Sequence, residues 1–146
     1  AHDRFLVLLE WILALERRHH DALEPGLVYI KYDEKDIRDL TFGASDAAQK
    51  LSEVADCLKD AFRGSDLIAR EGMSFWILAP FSQIDPLIEK VRQVMATAPQ
   101  NGLAIAHSNV RLFMLRDHIG GPAGQFKSPQ DFLDYLKALP EAVLPL

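Results

Sequence analysis

Two charged side chains, Arg63 and Asp66, carry the chemistry this chain offers most plainly. Arg63 and Asp66 flank Gly64-Ser65, a pair that breaks a helical pattern, so a guanidinium and a carboxylate leave one bend together. A guanidinium donates a planar, bidentate pair of hydrogen bonds to a phosphate or stacks on a ring, while a carboxylate accepts from N–H edges. Lys90 and Arg92, in the run Ile88-Glu89-Lys90-Val91-Arg92, can add positive charge from a following helix. Taken alone, Arg-x-x-Asp is equally a solvated helix end holding a local ion pair, and the Lys90/Arg92 run is equally an exposed helix face. His19-His20-Asp21 is not a chelate, because adjacent residues on a helix point about 100° apart. His107 and His118 have no spaced partners, and Cys57, the single cysteine, excludes an internal disulfide and fits a reducing compartment. Phosphate-binding P-loop, Gly-x-Ser-x-Gly, His-Glu-x-x-His and paired-cysteine motifs are absent.

The elements that must position these residues follow from punctuation and periodicity. The nearly all-apolar run Phe5 to Leu15, too short to span a bilayer, opens a helix predicted from Phe5 to Ala22 and closed near Glu24-Pro25-Gly26. Its outer face needs cover, from its own core or from a partner, and Trp11 and Trp76 are expected as core anchors. Leu27 to Tyr32 reads as a buried strand, Asp33 to Leu40 as a helical turn, and Asp46 to Phe62 as a helix capped by Ser45. Asp66 to Arg70 and Phe75 to Ala79 form a hairpin about the turn Glu71-Gly72-Met73-Ser74. Ile84 to Ala96 is the next helix, followed by strands at 102–106 and Val110 to Leu115. A Gly/Pro loop over 120–124 precedes a last helix from Ser128 to Leu139, with Ser128 as cap and Pro129 at its first position. This order predicts an α/β (α+β) fold with a mixed central sheet, a βαββαβ core and flanking helices. The 146 residues fit one domain, with 1–24 as an N-terminal helix linking to an upstream domain and 109–146 as a divergent tail. A formal net charge of −5 argues against nucleic-acid binding.

The stretch Arg63-Gly-Ser-Asp66-Leu-Ile-Ala-Arg-Glu-Gly72-Met-Ser-Phe75-Trp-Ile-Leu78 resembles the hairpin region of GGDEF domains, the family that makes cyclic di-GMP. Further likeness lies in Leu27 to Asp33, which matches a strand ending in Asp-x-Asp, and in Phe42-Gly43, which resembles a Tyr-Gly before the next helix. Gly102 to His107 occupies the place of a later strand, so the resemblance runs from Phe5 to His107. In that family Arg-x-x-Asp binds the product as an allosteric inhibitor, helped by a basic residue on the helix after the hairpin. The resemblance places that basic residue at Lys90, with Arg92 as the substitute. There the arginine would grip a phosphate or a guanine O6/N7 edge, and the carboxylate would accept from guanine N–H groups.

The resemblance also implies what is missing. The family's synthases hold two Mg²⁺ ions with hard carboxylates. Lys31 stands at the first metal-binding Asp, Met73-Ser74 replace the acidic pair of the signature, and the turn is one residue short, leaving only Asp33. The expectation is therefore a catalytically inactive GGDEF-like domain that binds no metal or cofactor. It would be a cytoplasmic cyclic di-GMP receptor, alone or as the cytoplasmic part of a membrane-associated protein. Its partners would be other domains of the same protein, a protein partner or a second copy. The alternative is a non-binding interaction or dimerisation module; residual synthesis from GTP is the weakest reading.

Overall fold

The computed structural model describes residues 2–18, 25–62, 66–81, 83–97, 103–106, 109–119 and 126–139. Helix α1 (His2–Arg18) leads into β1 (Gly26–Lys31), then α2 (Glu34–Leu40) and α3 (Ala44–Ala61). The hairpin β2 (Leu67–Glu71) and β3 (Ser74–Ala79) follows, then α4 (Ile84–Thr97), β4 (Val110–Met114), α5 (Arg116–Ile119) and α6 (Pro129–Ala138). The strands form one sheet in the order β2-β3-β1-β4, which is the expected βαββαβ core. All three pairings are antiparallel rather than mixed, because each helical crossover steps over one neighbouring strand.

Alternation along the strands splits the core in two. Val28, Ile30 and Tyr32 of the β1 segment join Phe75, Ile77, Val110 and Leu112 beneath α3 and α4, which contribute Leu51, Val54, Leu58, Leu87, Val91 and Val94. Leu27, Tyr29, Trp76, Leu78 and Phe113 face the other way, against Phe5, Leu9, Ile12 and Leu13 of α1 and Phe132, Leu133 and Leu136 of α6. A sheet covered on both faces explains why β1 and β3 read as continuous apolar runs. Each fully buried large side chain stabilises the fold by roughly 1.5–3 kcal/mol relative to exposure.

Several expectations need correction. Of the strand expected at 102–106, residues 103–106 form no strand and do not join the sheet, although Leu103 and Ile105 are buried in the first core. Trp11 is no core anchor: it is 58% exposed beside Val7, whereas Trp76 is fully buried. Helix α3 begins before Ser45; its N-cap is Gly43, which offers no side chain, and the Asp46 carboxylate instead accepts from the Phe42 N–H at 2.8 Å. Ser128 does cap α6, accepting from the Asp131 N–H at 3.2 Å. His19, His20, the 120–124 loop and His107 lie outside the described residues. Among the described residues, no helix is long and apolar enough to cross a membrane.

Candidate functional site

The mouth of the hairpin brings two of the four expected residues together. Asp66 sits immediately before β2, and Lys90 projects from α4, so 24 residues of sequence separate two side chains that meet at 3.2 Å (Lys90 Nζ to Asp66 Oδ2). The Asp66 carboxylate is only 4% exposed, against 34% for the Lys90 side chain. Lys90 is held from below by Phe62, whose ring centroid lies 5.8 Å from Nζ, a cation–π contact. Phe62 is itself buried at the C-cap of α3, with its N–H bonded to Leu58 O at 2.9 Å. The ammonium therefore stands over the end of α3 and the start of β2. Arg92 goes elsewhere: it pairs with Glu89 at 3.6 Å on an open helix face, with both side chains more than half exposed. Arg63 lies outside the described residues.

The hairpin tip is built differently. Glu71 pairs with Ser74 across a two-residue turn, Gly72-Met73, and Gly72 takes φ of +61°, a left-handed conformation that glycine adopts without penalty. The Met73 carbonyl accepts from the Tyr32 N–H at 3.2 Å, tying the turn to the end of β1. Ser74 is buried and accepts from the Tyr29 hydroxyl at 3.3 Å. Glu71 is claimed by Lys137 of α6, which Asp134 also approaches at 3.3 Å. This link, from hairpin to last helix, was not visible in the sequence because its partners lie far apart.

At the neighbouring end of β1, Lys31 points out of the sheet and Asp33 caps α2. The Asp33 carboxylate accepts from the Asp36 N–H at 2.7 Å, and Asp36 returns the bond to the Asp33 N–H at 3.2 Å. That reciprocal pattern was legible as Asp33-x-x-Asp36, a helix start. Tyr32, between them, is buried with its hydroxyl unpartnered among the described residues, and burial pushes its pKa well above the usual tyrosine value. Among the described residues, no three His, Cys, Asp or Glu side chains form a group able to hold a metal ion.

No family profile matches the chain, and no curated protein does. Solved structures do. The GGDEF domain of YfiN (TpbB) from Pseudomonas aeruginosa superposes with a TM-score of 0.64 at 20% identity, over 90% of this chain and 81% of that one. The fold is that of a GGDEF domain. A truncated form of YfiN comprising only the GGDEF domain gives a TM-score of 0.59 at 20% identity, over 90% of this chain and 76% of that one. The diguanylate cyclase SiaD, solved in complex with its activator SiaC from Pseudomonas aeruginosa, gives 0.60 at 17% identity. This chain covers 93% of its own length in that comparison but about half, 54%, of SiaD. Within the GGDEF fold, Lys31 and the Gly72-Met73 turn occupy the β1 end and the hairpin tip, and Asp66 and Lys90 occupy the hairpin mouth.

Proposed function

We propose that this GGDEF-like domain is a cyclic di-GMP receptor without synthase activity, binding at the hairpin mouth through Arg63, Asp66 and Lys90. The observation that carries the reading is the approach of Lys90 on α4 to the buried Asp66 carboxylate, 3.2 Å away. It supports a pocket in which one helix and one strand end supply opposite charges side by side. A guanine edge reaching Asp66 displaces the ammonium from one oxygen, and Lys90 moves onto the adjoining phosphate. Arg63, three residues upstream in sequence, supplies the bidentate donor that a lysine cannot. Arg92, engaged by Glu89, is the weaker contributor.

The absence of synthase activity rests on side-chain chemistry. A lysine at position 31 repels the cations that a GTP phosphate tail needs, and Asp33 commits one carboxylate oxygen to the α2 cap. Incubation with GTP and Mg²⁺ is expected to yield no cyclic product. The binding claim is tested by isothermal titration of cyclic di-GMP into the domain and into Arg63→Ala. Micromolar or tighter binding that the substitution abolishes supports the receptor reading; silence from both removes it.

A second reading is favoured by one specific feature. Val7 and Trp11 lie exposed one turn apart on α1. An interaction or dimerisation module would use that stripe, in line with the protein partner that SiaD is seen to bind. Ligand-independent dimerisation in sedimentation equilibrium, lost in Trp11→Glu, is the result expected of that alternative. In either reading the domain works in the cytoplasm as part of a larger signalling protein, a reducing setting that suits Cys57.

A further inference from the structure

Helix α1 has two faces with different periods. Phe5, Leu9, Ile12 and Leu13 are buried in the second core, against the sheet and α6. On the far side Arg4, Val7, Trp11, Ala14 and Arg18 are all exposed, Val7 at 65% and Trp11 at 58%. Their spacing alternates three and four residues, which holds them in one line along the helix at the 3.5-residue period of a helix-pairing seam. The partly exposed Leu8 and Leu15 border that line on one side, and the exposed Asp3, Glu10 and Arg17 border it on the other.

A seam with an apolar centre and charged ends fits another helix, and the charges choose which helix and its direction. Asp3 lies in the first turn of α1, and Arg17 and Arg18 lie in the last. A parallel copy of α1 would set Arg4 on Arg4 and Arg18 on Arg18 within the seam, and would leave Asp3 beside an apolar Leu8. An antiparallel copy with Val7 over Trp11 sets Arg4 over Ala14 and draws the seam arginines apart. It also brings the first-turn Asp3 of each copy towards the last-turn Arg17 of the other, and opposes the two helix dipoles. Glu10 then approaches its own counterpart beside the twofold axis, and that contact opposes pairing. Self-complementarity of this kind is what a twofold interface requires.

We infer that the outer face of α1 binds a second copy of this chain as an antiparallel helix pair, Val7 of each copy packed on Trp11 of the other. The inference rests on the interaction reading of that stripe and adds its occupant and its direction. Exposed ion pairs contribute little and are screened by salt, so the apolar centre carries the affinity and the end charges carry the direction. The interface shares no residue with the hairpin mouth.

The test is disulfide trapping in the whole chain with Cys57→Ser, after sedimentation equilibrium has established whether it dimerises. Chains carrying Arg4→Cys and chains carrying Ala14→Cys are mixed in equal amounts and oxidised in air, and the products are weighed by mass spectrometry. The mixed disulfide between positions 4 and 14 is expected to predominate, since a bridge forms only between backbones about 4.4–6.8 Å apart. Glu10→Gln is expected to tighten the dimer severalfold by removing the contact at the axis. Self-linked products from a chain that still dimerises, or a dimer that Glu10→Gln leaves unchanged or weakens, overturn the antiparallel direction and leave the interaction reading standing. A dimer that forms none of these disulfides lies elsewhere on the surface and overturns the inference. A chain that stays monomeric overturns both the inference and the interaction reading.

Discussion

The mouth of the β2–β3 hairpin and its tip are made by the same two strands, yet they use their polar groups in opposite ways. At the mouth, the partner of Asp66 among the described residues is Lys90, drawn from another element and one-third exposed. At the tip, Ser74, Glu71 and the Met73 carbonyl are each consumed by bonds to Tyr29, Lys137 and Tyr32. The mouth keeps a charge pair that a ligand can rearrange; the tip has turned its groups into joints between the sheet and its neighbours. Across the two-residue turn the Met73 carbonyl accepts from the Tyr32 N–H. One hairpin thus carries an ion pair to a neighbouring helix at one end and joints to β1 and α6 at the other.

The largest effect expected of any single change lies between the two ends. Trp76, fully buried and stacked on Tyr29 at 4.3 Å, belongs to both. Trp76→Ala should cost about 3–5 kcal/mol in urea denaturation, and Trp11→Ala about 0.5 kcal/mol or less. Equal losses for the two would mean that α1 buries its outer face in the free chain.

Next in size, Asp66→Ala should weaken cyclic di-GMP binding by about tenfold or more, the worth of hydrogen bonds to a charged group. Lys137→Ala, at the tip, should leave that affinity within about twofold while lowering the melting temperature. Calorimetry on both variants checks the pair, and a reversal of the two effects would exchange the roles assigned to mouth and tip.

Asp33→Ala should destabilise the fold by about 1 kcal/mol, the usual loss of a capping box residue, with cyclic di-GMP affinity unchanged. A loss of ligand binding without a loss of stability would show that Asp33 serves as more than a cap.

The smallest effect is a pH slope. His118 packs edge-on to Phe113 at 5.7 Å and to Tyr135 at 6.4 Å; burial lowers its pKa from the ordinary 6.5, and Asp117 only partly opposes this. A histidine with a depressed folded pKa contributes stability present above its unfolded value and lost as pH falls towards the folded one. Melting temperature should therefore decline on acidification below about pH 6.5, and His118→Gln should flatten that slope.

Much of this architecture was legible in the sequence, for reasons that also explain what was not. The helix starts at Glu34 and Pro129 carry local signals, Asp33 and Ser128, and the hairpin announces itself through Gly72 between two apolar runs. Alternation at Leu103 and Ile105 reported burial correctly but could not report pairing, since a strand's partner is a long-range fact. The all-apolar pattern of α1 left no contrast from which to choose a face, so Trp11 was misplaced. At the site, Lys90 was found through its place after the hairpin, whereas the Glu71–Lys137 joint depends on a contact that no local pattern encodes. Asp33 was read as a surviving metal ligand while its capping role stood in plain view at Asp36.

The most direct test of the receptor account is an amide chemical-shift titration of the ¹⁵N-labelled domain with cyclic di-GMP. The account predicts saturable shifts concentrated at Asp66, Leu67 and the Lys90 turn of α4, with the Gly72-Met73 turn little affected. Shifts centred on the hairpin tip or on α1, or no shifts at all, would contradict it.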